Sequence, residues 1–380
     1  MAALTGTGAA PTKPAMLTPE LVKTALSGVM DPIFDKPMLE LGTLEVDRVE
    51  GGTVALNVRL PTRSERLERR LLDRVESALA PLGGAEVKLA FHHEVPTREV
   101  MGDDPIPGVK NVILVMSGKG GVGKSTTAVN LTLALGALGL RVGLLDADVY
   151  GPSIPTMMGV SGSPVSRDGQ KIAPLERFGV KMMSIGFLLE DDKQAVVWRG
   201  PMLHGALSQF LRDVDWGPLD FLVLDLPPGT GDVALTMAQK LKVTGVVMVT
   251  TPQEVALADV YKAVSMCQKL SMPILGVVEN MSWFIDSAGV QHRLFGKGGG
   301  QKIADFAQAP LLAQIPIETA VQEGGDAGLP VVKGRPESTA GRAFLELADA
   351  VAAATARLHF DRAGGTLPSG KAKARLKILR

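Results

Sequence analysis

Cysteine is almost missing from this chain of 380 residues: Cys267 stands alone. One thiol cannot close an intramolecular disulfide, so a disulfide-stapled secreted fold is excluded and a reducing compartment is expected. Net charge is missing too, since 40 basic residues cancel 40 acidic ones. Without a global positive field, no nucleic-acid partner is expected. No apolar run approaches the roughly 18 residues that span a bilayer. Met1 to Met16 has neither the basic start nor the apolar core of a secretion signal. The expected location is cytoplasmic.

What is present is the matter of a packed protein, 46% hydrophobic, with 43 Gly and 25 Pro for turns and backbone-built sites. At roughly 100 to 200 residues per domain, the length allows two or three units. Residues 1–16 are small and polar and are expected to be disordered. Residues 17–91 read as a small α+β domain. It has a helix over Pro19 to Val29, strands at Leu44 to Val49 and Val54 to Leu60, a further helix, and a short strand at Ala85 to Phe91. The further helix places Leu67, Leu71, Val75 and Leu79 on one face, which leaves Arg66, Glu68, Arg70 and Asp73 as a solvated face. Residues 92–110 turn to Pro, Gly and charge and read as a linker, with His92 and His93 exposed. Residues 361–380 form a basic tail, read as solvated rather than as a membrane contact.

Between them, residues 111–360 alternate short β-branched runs with helical patterns. The strands are expected at Val112 to Met116, Val142 to Asp146, Phe221 to Asp225, Gly245 to Thr250 and Ile274 to Glu279. This is the signature of a doubly wound, mostly parallel α/β sheet, whose ligands gather at the carboxyl ends of the strands. After the first strand comes Gly118-Lys119-Gly120-Gly121-Val122-Gly123-Lys124-Ser125, followed by Thr126. It matches the phosphate loop G-x-x-x-x-G-K-[ST] between a strand and a helix. Such glycines let backbone amides turn around phosphate oxygens, Lys124 neutralises the terminal phosphates, and the Ser125 hydroxyl suits Mg²⁺. Asp225 is expected to hold the Mg²⁺ shell with Asp146 in support, Asp148 to orient the attacking water, and the Gly229 N–H to meet a γ-phosphate.

The second lysine, Lys119, makes Gly118-Lys119-Gly120-Gly121 resemble the deviant Walker A loop of the MinD/ParA/Mrp class. Residues 108 to 335 resemble the Mrp/ApbC family of iron-sulfur cluster carrier ATPases. The matching strings are Leu145 to Ser153, Trp198 to Met202, Asp225 to Asp232, Thr251 to Glu254, Glu279 to Ser282, Phe295 to Gly299 and Glu323 to Gly328. The small N-terminal domain is similar to one often fused ahead of such ATPases. The resemblance implies an ATP-binding and hydrolysing homodimer in which Lys119 reaches the nucleotide of the facing protomer. It also implies adenine contact by Asn280 and a role in iron-sulfur cluster assembly or transfer to client proteins.

The chain departs from that family at its cluster site. Two cysteines are expected after Glu279-Asn280-Met281-Ser282, where this chain has Trp283 to His292 with none. Clusters are held by thiolates, usually four, and two copies of this chain supply two. Cys267 itself lies in a helical pattern and reads as a small buried side chain. Asp286 and His292 read as solvated loop residues, Gly296 to Gly300 as a flexible turn, and Arg199 as a surface, nucleotide or partner residue. A cluster-free ATP-dependent scaffold, or a MinD- or ParA-like positioning switch on membrane or DNA, is therefore carried as an alternative.

Overall fold

The computed structural model describes residues 17–83, 85–148, 151–166, 169, 171–188, 200–229 and 231–367. The expectations for residues 1–16, for Val149 and Tyr150, for Trp198 and Arg199, for Thr230 and for the basic stretch from 368 onward lie outside these residues. The described chain divides into two compact units.

The smaller unit opens with α1 (Pro19–Leu26), where the Thr18 side chain accepts from the Leu21 N–H and Pro19 takes the first turn. A short α2 (Met38–Leu41) leads into β1 (Leu44–Glu50) and β2 (Thr53–Leu60). These pair antiparallel around Gly51 and Gly52, both at positive φ, as a tight hairpin requires. Helix α3 (Glu65–Leu79) is capped by Ser64 and buries Leu71, Val75 and Leu79, while Arg66, Arg70 and Asp73 face solvent. Strand β3 (Glu86–His93) then joins β2 in parallel. His92 and His93 are thus strand residues rather than linker. His93 Nε2 lies 2.8 Å from Glu68 Oε1, and both side chains are mostly covered.

The larger unit starts before the expected strand. Val95, Ile106 and Val109 are buried in its core. Arg98 is buried against Asp104, its Nη2 donating to Asp104 Oδ1 at 2.9 Å and to the Ile106 carbonyl at 3.0 Å. Most of the stretch 92–110 is therefore held structure, because polar and Pro-rich composition does not reveal a buried ion pair.

Its strands are β4 (Val112–Ser117), β5 (Val142–Asp146), β6 (Leu175–Arg177), β7 (Val180–Ser184), β8 (Phe221–Asp225), β9 (Gly245–Thr250) and β10 (Ile274–Glu279). A two-stranded hairpin follows, β11 (Phe284–Ile285) with β12 (Gln291–His292), and β13 (Leu311–Gln314) completes the set. The main sheet runs β13-β10-β9-β4-β8-β5-β7-β6. All its pairings are parallel except β6 with β7. Every residue of β4, β5, β8 and β9 is buried, as expected for strands covered on both faces. The helices that matter to the site are α4 (Lys124–Ala137), α5 (Ile154–Met158), α6 (Gly200–Arg212), α7 (Asp232–Lys240), α8 (Glu254–Lys269) and α9 (Gly299–Ala307). Beyond them lie α10 (Thr319–Asp326), α11 (Val331–Gly334) and α12 (Thr339–Arg362). Helix α4 is buried on nearly all sides, packed on α12 and on the strands. Among the described residues no helix is long and apolar enough to cross a membrane.

Candidate functional site

The chain leaves central strand β4 at Ser117 and enters α4 at Lys124, so residues 118–123 form a loop at the carboxyl edge of the sheet. Three of its glycines are required, Gly118 by contact and Gly121 and Gly123 by conformation. A Cβ on Gly118 would lie 2.4 Å from the Val260 nitrogen, because the loop passes directly against the backbone of α8. Gly121 and Gly123 sit at φ +80° and +79°, where side chains are strained. Ser117 Oγ donates to the Lys119 carbonyl at 2.9 Å, and Thr127 Oγ1 to the Gly123 carbonyl at 2.8 Å, tying both loop ends. Val122 is buried; Gly120 and Gly121 are exposed; Lys119, Ser125 and Thr126 are half-exposed.

Lys124 is buried and is the electrostatic centre. Its Nζ lies 2.7 Å from Asp225 Oδ1, 3.4 Å from Ser125 Oγ and 3.5 Å from Asp148 Oδ2. The second Asp225 oxygen, Oδ2, is buried without a hydrogen bond. Burial raises the Asp225 carboxyl above the ordinary carboxylate range against the opposing pull of Lys124. Asp146 is its register partner on β5. Burial, and then the Asp225 charge, push Asp146 up to about 8. One Asp146 oxygen accepts from the Asp148 N–H at 3.1 Å and the other from Ser184 Oγ at 2.9 Å. In this structure each Asp146 oxygen accepts one hydrogen bond, and the two together fix the Asp148 backbone and β7. Ser184 is far away in sequence and nothing local marks it.

Mg²⁺ is a hard cation that takes oxygen ligands. The orphaned Asp225 Oδ2 and the nearby Ser125 hydroxyl fit it. They would hold the ion, and it would supply charge neutralisation on the phosphates.

Two expected nucleotide contacts are differently engaged. The Gly229 N–H donates to the Ser117 carbonyl at 2.9 Å. Asn280 is buried, and its Nδ2 donates to the Val122 carbonyl at 2.9 Å, so in this structure its amide braces the phosphate loop. The residue before it, Glu279, is fully buried at the end of β10 and accepts hydrogen bonds on both oxygens. Sequence reasoning passed over it because an acid at a strand end has no local mark of such an environment.

A family model described as the NUBPL iron-transfer P-loop NTPase matches residues 108–352. The chain belongs to that family. A second model, of an iron-sulfur cluster assembly protein, matches residues 19–90. Among similar proteins of this kind, the iron-sulfur cluster carrier protein of Synechocystis is 44% identical over 345 residues, 89% of this chain and 98% of the relative. That of Aquifex aeolicus is 54% identical over 248 residues, 64% of this chain and 67% of the relative. A solved nucleotide-binding protein from Archaeoglobus fulgidus, in complex with ADP, is 39% identical with TM-score 0.53, covering 60% of this chain and 92% of that one.

The residues present do not fit a thiolate-held cluster. Cys267 is fully buried inside α8 with its Sγ 3.9 Å from Met116 Sδ, and burial pushes its thiol up to about 12. The segment after Ser282 is the β11–β12 hairpin. There Asp286 and His292 are paired rather than separately solvated, with Nε2 to Oδ2 at 2.7 Å, and that bond to His292 lowers the Asp286 carboxyl. Among the described residues no group of three or more His, Cys, Asp or Glu is placed to hold a metal ion. Gly299 and Gly300 are buried at the start of α9, where added Cβ atoms would lie 2.5 Å from the Pro252 carbonyl oxygen and 2.6 Å from Glu279 Cβ. Of the expected turn Gly296 to Gly300, the last two residues are thus a tightly packed helix start, while Gly296 and Gly298 keep the positive φ of a turn.

Proposed function

We propose that this protein is an ATPase acting in iron-sulfur cluster assembly or transfer, working as a homodimer across ATP. The observation that carries the reading is the buried Lys124 between Asp225, Asp148 and Ser125, at the head of a strand-loop-helix of the phosphate-binding pattern. With Mg-ATP present, Lys124 exchanges its carboxylate partners for β- and γ-phosphate oxygens, amides of residues 118–123 surround them, and Ser125 with Asp225 faces the cation. Asp148 orients a water for attack on the γ-phosphorus. The bond to the β–γ bridging oxygen breaks, its electron pair leaves with ADP, and the water proton passes through Asp148 to the released phosphate. Lys119 completes the charge from the facing protomer.

The iron-transfer family and the names of its relatives support the cluster pathway. The buried Cys267 favours a form of that role in which client or scaffold proteins supply the thiolates and this chain supplies the nucleotide-driven switch. Phosphate release should be measured with Mg-ATP and Mg-GTP, alongside sedimentation of wild type and Lys119→Ala. The expected result is slow hydrolysis of ATP, with ATP-dependent pairing lost in the variant. Unchanged pairing without Lys119, or no hydrolysis of either nucleotide in the presence of clients, would contradict the reading.

A further inference from the structure

A fully buried carboxylate is costly unless its oxygens are bonded. Glu279 at the end of β10 meets three donors, one from α9, one from β13 and one from the turn that follows β10. Gly300 N, at the start of α9, lies 2.6 Å from Oε2. Ser282 Oγ lies 2.9 Å and Gln314 Nε2 of β13 lies 2.7 Å from Oε1. Room for the carboxylate exists because residue 300 is glycine, whose added Cβ would lie 3.1 Å from Oε2.

The chain then makes a strained turn. Met281 sits at φ +56°, a left-handed conformation that costs a non-glycine residue about 1 kcal/mol or more. Ser282 holds it, its single O–H shared between the Glu279 carbonyl at 2.7 Å and the carboxylate, and its N–H donating to the Ile315 carbonyl at 2.9 Å. Between the two anchors stands Asn280. Its own N–H donates to the Thr250 carbonyl at 2.8 Å, and its Nδ2 reaches Val122 in the phosphate loop. The fit is close enough that a Cβ on Gly123 would lie 2.2 Å from that nitrogen.

We propose that Glu279 is a positioning residue for the phosphate loop: through the Ser282-braced turn it presses Asn280 onto the Val122 carbonyl and fixes the loop in shape for polyphosphate. The proposal rests on the nucleotide reading above and deepens it. It separates two roles of Asn280, since a side chain that only read the base would leave affinity for a base-free polyphosphate untouched. A brace on the loop acts on every polyphosphate alike.

The test is calorimetric titration of the full chain with Mg-ATP and, separately, with Mg-tripolyphosphate. Glu279→Gln keeps the shape but turns an amide toward donors, and Ser282→Ala removes one brace while sparing the carboxylate. The expected result is about tenfold weaker binding of both ligands to Glu279→Gln, and about threefold weaker binding to Ser282→Ala, at unchanged stoichiometry. Reduced stoichiometry at unchanged affinity would mean that Glu279 serves folding alone and would overturn the proposal. So would weakened ATP binding with unaltered tripolyphosphate binding. A wild-type chain that binds neither ligand would instead remove the nucleotide reading itself, and the proposal with it.

Discussion

Lys124 Nζ sits 2.7 Å from Asp225 Oδ1, a contact that joins positions 101 residues apart and is buried on both sides. This lysine is set among three acidic side chains, Asp225, Asp148 and the more distant Asp146. Lys124→Ala is therefore expected to abolish nucleotide binding and also to destabilise the chain by about 3 kcal/mol at neutral pH, as breaking a buried pair does. Asp225 is already raised by burial, and loss of Lys124 raises it further. A raised carboxyl favours the folded state while protonated, so the deficit should narrow as the pH is lowered below neutral. Urea unfolding of both proteins across that range checks the sign.

The loop glycines are not equivalent. Gly118→Ala drives a Cβ into the backbone of α8 and should cost about 1–3 kcal/mol, with weakened nucleotide binding as the loop shifts. Gly120→Ala meets nothing within 4 Å and has no positive φ to satisfy, so its stability should stay within about 0.5 kcal/mol of wild type. Paired thermal melts distinguish them.

Cys267 should behave as an inert core thiol. In the native chain it is expected to resist a disulfide reagent, and to react fully, one thiol per chain, once urea exposes it. Anaerobic addition of iron and sulfide should leave the isolated protein without the visible absorption of a thiolate-bound cluster. Stoichiometric cluster uptake by the chain alone would refute the assignment of the thiolates to clients.

Acid stability should depend on Asp220. Burial alone would raise its carboxyl, but Arg141 bonds it through N, Nε and Nη2 at 3.0, 3.1 and 3.0 Å, Lys110 Nζ lies 3.0 Å away, and the net result is a value of about 2. A folded value below the unfolded one of about 3.9 gives stability that is complete above about pH 4 and is lost as pH falls toward 2. Asp220→Asn should be less stable at neutral pH and should show a flatter stability profile across that window in guanidinium unfolding.

The phosphate loop was legible because its chemistry is local: glycine spacing, a lysine and a hydroxyl fall within eight consecutive residues between a strand and a helix. The row of residues four apart, of which Leu71, Val75 and Leu79 are buried and Leu67 half-buried, and the alternation in β2 were legible for the same reason, since periodicity reports the buried face directly. Glu279, Ser184 and Arg98 were not. Their meaning lies in partners 21, 38 and 6 residues away, and nothing in their neighbours separates a buried acceptor or ion pair from a solvated one.

The sequence by itself determined the sheet class, the glycine-rich loop between strand and helix and the shortage of thiols, because each is written in short patterns or in a count. Only the tertiary structure decided which charges face one another and which backbone amides are already spent. It assigned Asp146 to Ser184 and Asp148, turned the Gly229 N–H onto Ser117, and set Asn280 against the loop rather than leaving it open. Those choices follow from strand order and burial, which bring distant residues within hydrogen-bond reach and make an unpartnered polar atom too costly to leave without a reason.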